Sequence, residues 1–342
     1  MNIAPDHVTD LHNAIKNINI ELVKKILNNG IDVNLQNAKG DSSLHIAVKR
    51  YSICMNPELY EINHMIIDIL LKHGANLNLQ NKKGITPLHD AMLNGHNPRS
   101  AIMIDNILKY ECDFNIKDNN KGETPFHYAA SLNLEIVKKA IKHNGNPNIQ
   151  DHIGNTPLNI AIEFRLIDIV EFLLNYEYID INIKTKQGYN LINYASYDST
   201  IEIIDLLIKK GIDINDQDKD GNTSLHSVSL YWRLDIIELL LKHGANPNIK
   251  NNDGETCLHS IMNSRIKYDK MRITLGLFLN SGVDPNIQDK NGNTILHLYA
   301  SKRYLYKKDN NDMLELLFRL GVDSEIKNKK GKTASDCLKI KK

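Results

Sequence analysis

Fourteen histidines and four cysteines are the residues of this 342-residue chain best suited to chemistry. An imidazole can shuttle a proton or ligate a metal, and a thiolate can attack or ligate. Their spacing argues against both uses. Cys54, Cys112, Cys257 and Cys337 lie far apart with no C-x-x-C pair, which points away from a zinc site or a disulfide framework and suits a reducing compartment. Seven histidines (His12, His45, His89, His127, His226, His259 and His297) occupy one place in a recurring short signature, His12 in a copy, TDLH (9–12), that lacks the glycine. Three more (His73, His143 and His243) fall in K-H-G or K-H-N at the end of an apolar-periodic segment, where a positive group suits a helix C-terminus. His7, His64, His96 and His152 are scattered, and no metalloprotease, nucleotide-binding or nucleophile-elbow motif occurs. The reading is that the chain has no catalytic residue, no metal or cofactor site, and is not an enzyme.

The elements that carry these histidines repeat. The signature reads GDSSLH (40–45), GITPLH (84–89), GETPFH (122–127), GNTPLN (154–159), GYNLIN (188–193), GNTSLH (221–226), GETCLH (254–259) and GNTILH (292–297), with a degenerate GKTASD (331–336). Its glycines are 44, 38, 32, 34, 33, 33, 38 and 39 residues apart, so the basal unit is 33. Segments such as IELVKKILNNG (20–30), HMIIDILLKHG (64–74) and LDIIELLLKHG (234–244) follow, with apolar residues at i, i+3, i+4 and i+7, the pattern of a helix buried on one face. The closing Gly reads as a left-handed C-cap. The polar stretch after it, rich in Asn, Asp and Gly, reads as a turn held by side-chain to backbone bonds. The Thr or Ser after the turn Gly is placed to cap the next helix, and Pro87, Pro125 and Pro157 fit its first position.

A 33-residue unit of turn, T-P-L-H-x-A helix and second helix resembles the ankyrin repeat, and the resemblance runs from residue 6 to about 340. It implies an all-α solenoid of nine helix pairs and a closing helix with short turn fingers. The array spans 1–342, with repeats near 6–36, 37–80, 81–117, 118–150, 151–184, 185–217, 218–250, 251–288 and 289–327 and a cap at 328–342. Each repeat packs only on its neighbours, which fits an aromatic content of 6%, lean for one large core. The resemblance makes the motif His structural, bonding near the adjacent turn. It also makes the turn Asn a family-wide hydroxylation target, a match too general to single out any position.

From the motif His (Asn193 in repeat six) to the Asn position of the next turn (Glu325 after repeat nine), repeats six and seven span 22 residues, whereas repeats two, three, eight and nine span 33, 26, 27 and 28. The insertions therefore fall at helix junctions near both ends of the array. Two are basic and aromatic, around Arg265, Lys267, Tyr268, Lys270 and Arg272 and around Lys302, Arg303, Tyr304, Tyr306, Lys307 and Lys308. They read as a cationic edge for an acidic partner or, better, as solvated loops whose charge Asp309, Asp312 and Asp336 dilute.

Lys and Arg (42) balance Asp and Glu (41), so no overall field draws nucleic acid or an anionic membrane, and no apolar run is long enough to span a bilayer. The expected partner is a protein, bound by a monomeric, soluble chain acting in the cytoplasm of its own or a host cell. The resemblance puts that partner on the concave face, formed by positions one, four and five after the motif His. In repeats four to seven five of those twelve positions are aromatic. The expected contact residues are Tyr128, Leu132, Phe164, Tyr194, Tyr197, Leu230, Tyr231 and the adjoining Trp232, with Tyr189 and Lys186 at a turn tip. Half-burial of the first position against the next helix is the competing account of Tyr128 and Tyr194. The style of the units, rich in Asn, Ile and Lys as AT-rich coding sequence would be, is similar to ankyrin proteins of intracellular bacteria and poxviruses. That implies a host-directed role, with inhibition of an enzyme through the same face as the alternative.

Overall fold

Helices such as those opened by Asn19, Asn133 and Thr156 start where a polar residue meets an apolar-rich run. Asn133 accepts a hydrogen bond from the Ile136 amide at 3.0 Å and opens a helix whose Ile136, Val137 and Ala140 are buried. The run stops at His143, after which Asn144 takes φ 58°; elsewhere the same post belongs to glycines such as Gly244 at φ 84°.

A computed structural model describes residues 6–53, 56–96, 100–196, 199–264, 268–302 and 311–339. Among them nineteen helices and no strand are present, with one isolated bridge between Gln36 and Ser42. The chain divides into two compact units, 1–179 and 180–342.

In the first unit the inner helices are α1 (Asp6–Lys16), α3 (Ser43–Ile53), α5 (Pro87–Leu93), α7 (Pro125–Ala129) and α9 (Pro157–Glu163). Each packs on the next, and each pairs with an outer helix: α2 (Ile20–Asn28), α4 (Pro57–Lys72), α6 (Ser100–Ile107), α8 (Leu134–Lys142) or α10 (Ile167–Leu174). In the second unit the inner row is α11 (Leu191–Ala195), α13 (Ser224–Tyr231), α15 (Cys257–Asn263), α17 (Ile295–Lys302) and the closing α19 (Ala334–Lys339). Its outer helices are α12 (Ile201–Lys209), α14 (Leu234–Lys242), α16 (Tyr268–Gly276) and α18 (Asn311–Arg319). This is an all-α repeat solenoid.

The junction insertion of repeat two is not simply a loop. It lengthens both helices, to 11 residues in α3 and 16 in α4, and builds a small extra core. There the rings of Tyr51 and Tyr60 are 4.0 Å apart, and Asn63 donates to the Ala47 carbonyl at 3.0 Å. Arg265, Lys267 and Arg303 through Lys308 of the other insertions lie outside the described residues, as does Cys54.

The abundant asparagines stitch repeats together. Asn115 donates to the Asn144 carbonyl at 3.0 Å and accepts from the Asn146 amide at 2.7 Å. Asn248 does the same in the second unit with Gly282 and Asp284. The turn tips form a second ladder, with the Asn119 amide donating to Lys83 and the Lys329 amide to Asn291. This ladder explains the turn glycine. Gly84 has φ +75°, and a Cβ there would lie 2.6 Å from the Asn119 amide nitrogen, too close for any side chain.

Candidate functional site

The motif histidine positions the inner helices. At Thr86, the N-cap of α5, the backbone amide donates to Nδ1 of His89 at 3.1 Å and the hydroxyl stands 2.7 Å from the same nitrogen. An Nδ1 that accepts leaves the proton on Nε2, which donates to the Glu123 carbonyl of the next turn at 3.2 Å. The imidazole thus closes a capping box within its repeat and latches that repeat to its neighbour. His45, His127, His226, His259 and His297 make the same pair of connections. Burial lowers the pKa of His89 to about 4 and lowers those of His45, His127, His226 and His259, so these rings are neutral at pH 7. Their scaffold role follows from these bonds.

Two cysteines and a further histidine are also tied into the scaffold. Burial pushes the thiols of Cys112 and Cys257 up to about 12, far from the thiolate form. His143 donates from Nε2 to the Leu108 carbonyl at 3.0 Å, a link to the preceding repeat. Among the described residues no three His, Cys, Asp or Glu side chains gather as a metal site, and no helix is long and apolar enough to cross a membrane.

What remains is surface. On the inner-helix face of the first unit, α5, α7 and α9 border a depression of about 280 Å³. Leu93, His96, Tyr128, Ile160, Glu163 and Phe164 line it, with Lys121 and Glu123 at the turn-tip side. Phe164 is 51% exposed and Leu93 55%, large apolar side chains that packing against neighbouring helices would normally bury. The His96 ring stacks on Phe164 with centroids 6.3 Å apart. Tyr128 is half-buried; it meets the His89 ring edge-on and donates to Glu123 at 2.7 Å. Leu132, also half-buried, lies against Gly95, whose absent Cβ would sit 2.4 Å from a Leu132 methyl.

In the second unit Leu230 (43%) and Tyr231 (50%) are exposed at the end of α13. Trp232 ends that helix in the left-handed region at φ 59°, half-buried, with the Lys270 ammonium 5.6 Å from its ring centroid. Tyr189 and Tyr194 are half-buried and Lys186 is exposed, while Tyr197 lies outside the described residues. Of the ten expected contact residues, Tyr128 and Phe164 are thus brought to one depression. The sequence reading passed over Leu93 and His96. Leu93 is position four after His89, but the inserted length of repeat three had set that repeat aside.

Paired helices repeated along a chain, latched turn to turn and presenting open apolar side chains, define a helical-repeat binding scaffold. The chain belongs to the ankyrin-repeat family: models of ankyrin repeats match residues 11–104, 99–185, 207–259 and 291–329. Such repeats are generally protein–protein interaction modules and typically non-enzymatic. Similar proteins include an ankyrin repeat protein of Rickettsia felis, 31% identical over 107 residues, which are 31% of this chain and 35% of the relative. An ankyrin repeat protein of Acanthamoeba polyphaga mimivirus is 31% identical over 126 residues, 34% of this chain and 22% of the relative. Human Rabankyrin-5 is 37% identical over 68 residues, 20% and 6% of the two chains. The matches span about a third of the first relative and less of the other two.

Proposed function

We propose that the inner-helix face of the unit at 1–179 binds a protein partner, with Leu93, His96, Tyr128 and Phe164 as its apolar anchor. The observation that carries this is the pair Leu93 and Phe164, both more than half exposed around one depression. Their burial by a partner would recover apolar area that the fold leaves in water. A host-directed use is supported by ankyrin repeat relatives from Rickettsia, a mimivirus and a fowlpox virus.

A photo-crosslinking amino acid placed at Phe164 or at Glu135 of the outer helix α8 tests the face in cells that make the protein. A specific adduct is expected from position 164, lost when Leu93→Ala is added, and none from 135. Adducts from position 135 alone would overturn the reading.

A further inference from the structure

At the other end of the same inner-helix face, the last turn of α1, the first turn tip and α3 enclose an open cavity of about 470 Å³. Four cations, Lys16, Lys39, Lys49 and Arg50, border it against one carboxylate, Asp41. Asp41 is already engaged: it accepts from Lys49 Nζ at 2.9 Å and from Asn81 at 2.8 Å. Burial works against its charge, but those hydrogen bonds outweigh it and hold the carboxyl below its ordinary range. Lys49 is engaged too, with Asp90 Oδ2 3.4 Å away on its far side. The other three cations have no carboxylate within ion-pair distance among the described residues. Arg50 Nε is shielded from solvent and donates to nothing there. A buried guanidinium N–H without an acceptor is costly, and an arriving oxyanion removes that cost.

We propose that this cavity is an anion subsite for the carboxylates of an acidic protein segment, held by Arg50, Lys16 and Lys39. The planar Arg50 fork matches a carboxylate, and the two lysines supply the field that draws it in. The choice of a protein carboxylate rests on the protein-binding reading of the face. Helices α1, α3, α5, α7 and α9 pack in sequence, so the cationic cavity and the apolar depression lie on successive rows of one surface. At 8–10 Å between neighbouring helices, the two are roughly 20 Å apart. An extended chain crosses that in about six residues and a helix in about thirteen. The partner segment therefore carries Asp or Glu at one of those distances from a large apolar side chain.

Fluorescence anisotropy on the full chain tests this with synthetic peptides: four Glu, a six-residue Gly/Ser spacer and Phe-Leu-Phe; the same peptide with four Lys; and the spacer with Phe-Leu-Phe alone. The Glu peptide is expected to bind about tenfold tighter than either control, an advantage that shrinks as salt rises. Lys16→Glu combined with Arg50→Gln, checked for folding by circular dichroism, should remove that advantage and leave the uncharged peptide unaffected. Equal binding of Glu and Lys peptides, no binding of the Glu peptide, or an advantage that survives the double variant would each overturn the subsite. If instead the Glu preference holds but Leu93→Ala with Phe164→Ala changes nothing, the subsite stands and the apolar anchor fails.

Discussion

Repeats latched by histidine and the repeat latched by Asn193 solve the same problem with different reach. At His226 and His259 the imidazole caps its own helix and meets a carbonyl of the next turn at 3.1 Å. In repeat six Asn193 still caps locally, accepting from the Asn190 amide, but its shorter side chain meets the Asp216 carbonyl of its own repeat at 3.5 Å and reaches the next repeat at Ser224 Oγ, 3.4 Å away. Asn159 likewise keeps the local cap, accepting from the Thr156 amide at 2.9 Å. An amide preserves the helix start and weakens the tie between repeats. It also does not titrate, whereas a buried imidazole makes the tie depend on pH.

The comparison breaks most visibly at His89→Ala. That change leaves the buried Thr86 amide and the Glu123 carbonyl without their partner, and should cost about 2 to 4 kcal/mol in urea unfolding at pH 7.5. A cost below about 0.5 kcal/mol would show that the latch is ornamental.

Acid is the next lever. His89 has a folded pKa of about 4 against 6.5 when free, so the unfolded chain takes up the proton first. Stability is lost as pH falls from about 6.5 to about 4, the share of His89 being about 3 kcal/mol at 1.36 kcal/mol per pKa unit. His89→Asn should lose less over the same window, and parallel pH curves for the two proteins would refute the neutral-latch account.

Asp90, the next residue, runs the opposite way. Burial pushes its carboxyl up to about 7 against the pull of Lys49. Burial alone would lower the Lys49 pKa, yet Asp90 and Asp41 together hold it above its ordinary value. A carboxyl with a raised folded pKa contributes stability that is full below about 4 and lost as pH rises through about 7. Asp90→Asn should therefore stabilise the protein by about 2 kcal/mol at pH 8, with the gain vanishing near pH 4. Unfolding midpoints at the two pH values decide it.

The smallest effect sharpens the contrast. Asn193→His should restore the longer reach to the next turn and add about 1 kcal/mol at pH 7.5. Hydrogen exchange at the Leu191–Ala195 helix should slow with it. Unchanged exchange would mean that reach is not what separates the two latches.

The periodicity that exposed the fold in the sequence also carried much of its local chemistry. Thr86, Thr124 and Thr156 start helices with proline behind them, and Gly244 ends one, because caps depend on residues three or four positions apart. The scaffold role of the histidines, with a bond near the adjacent turn, came from the ankyrin resemblance. Which carbonyl each ring meets did not, since the bond joins residues such as His89 and Glu123, 34 positions apart. The inserted length of repeat two was visible as length alone; that it would extend helices around Tyr51 and Tyr60 depended on those rings meeting.

The sequence by itself determined the repeat, the helix pairs, the caps and the family, because each rests on short-range pattern and turn chemistry. Only the tertiary structure decided which side chains share a surface. It set Leu93 and His96 beside Phe164, laid Leu132 against Gly95, and gathered Lys16, Lys39 and Arg50 around one cavity. Stacking brings positions a whole repeat apart into contact, and side-chain exposure depends on what the neighbouring repeat leaves uncovered. That is a property of the packed array, which no single repeat carries in its own residues.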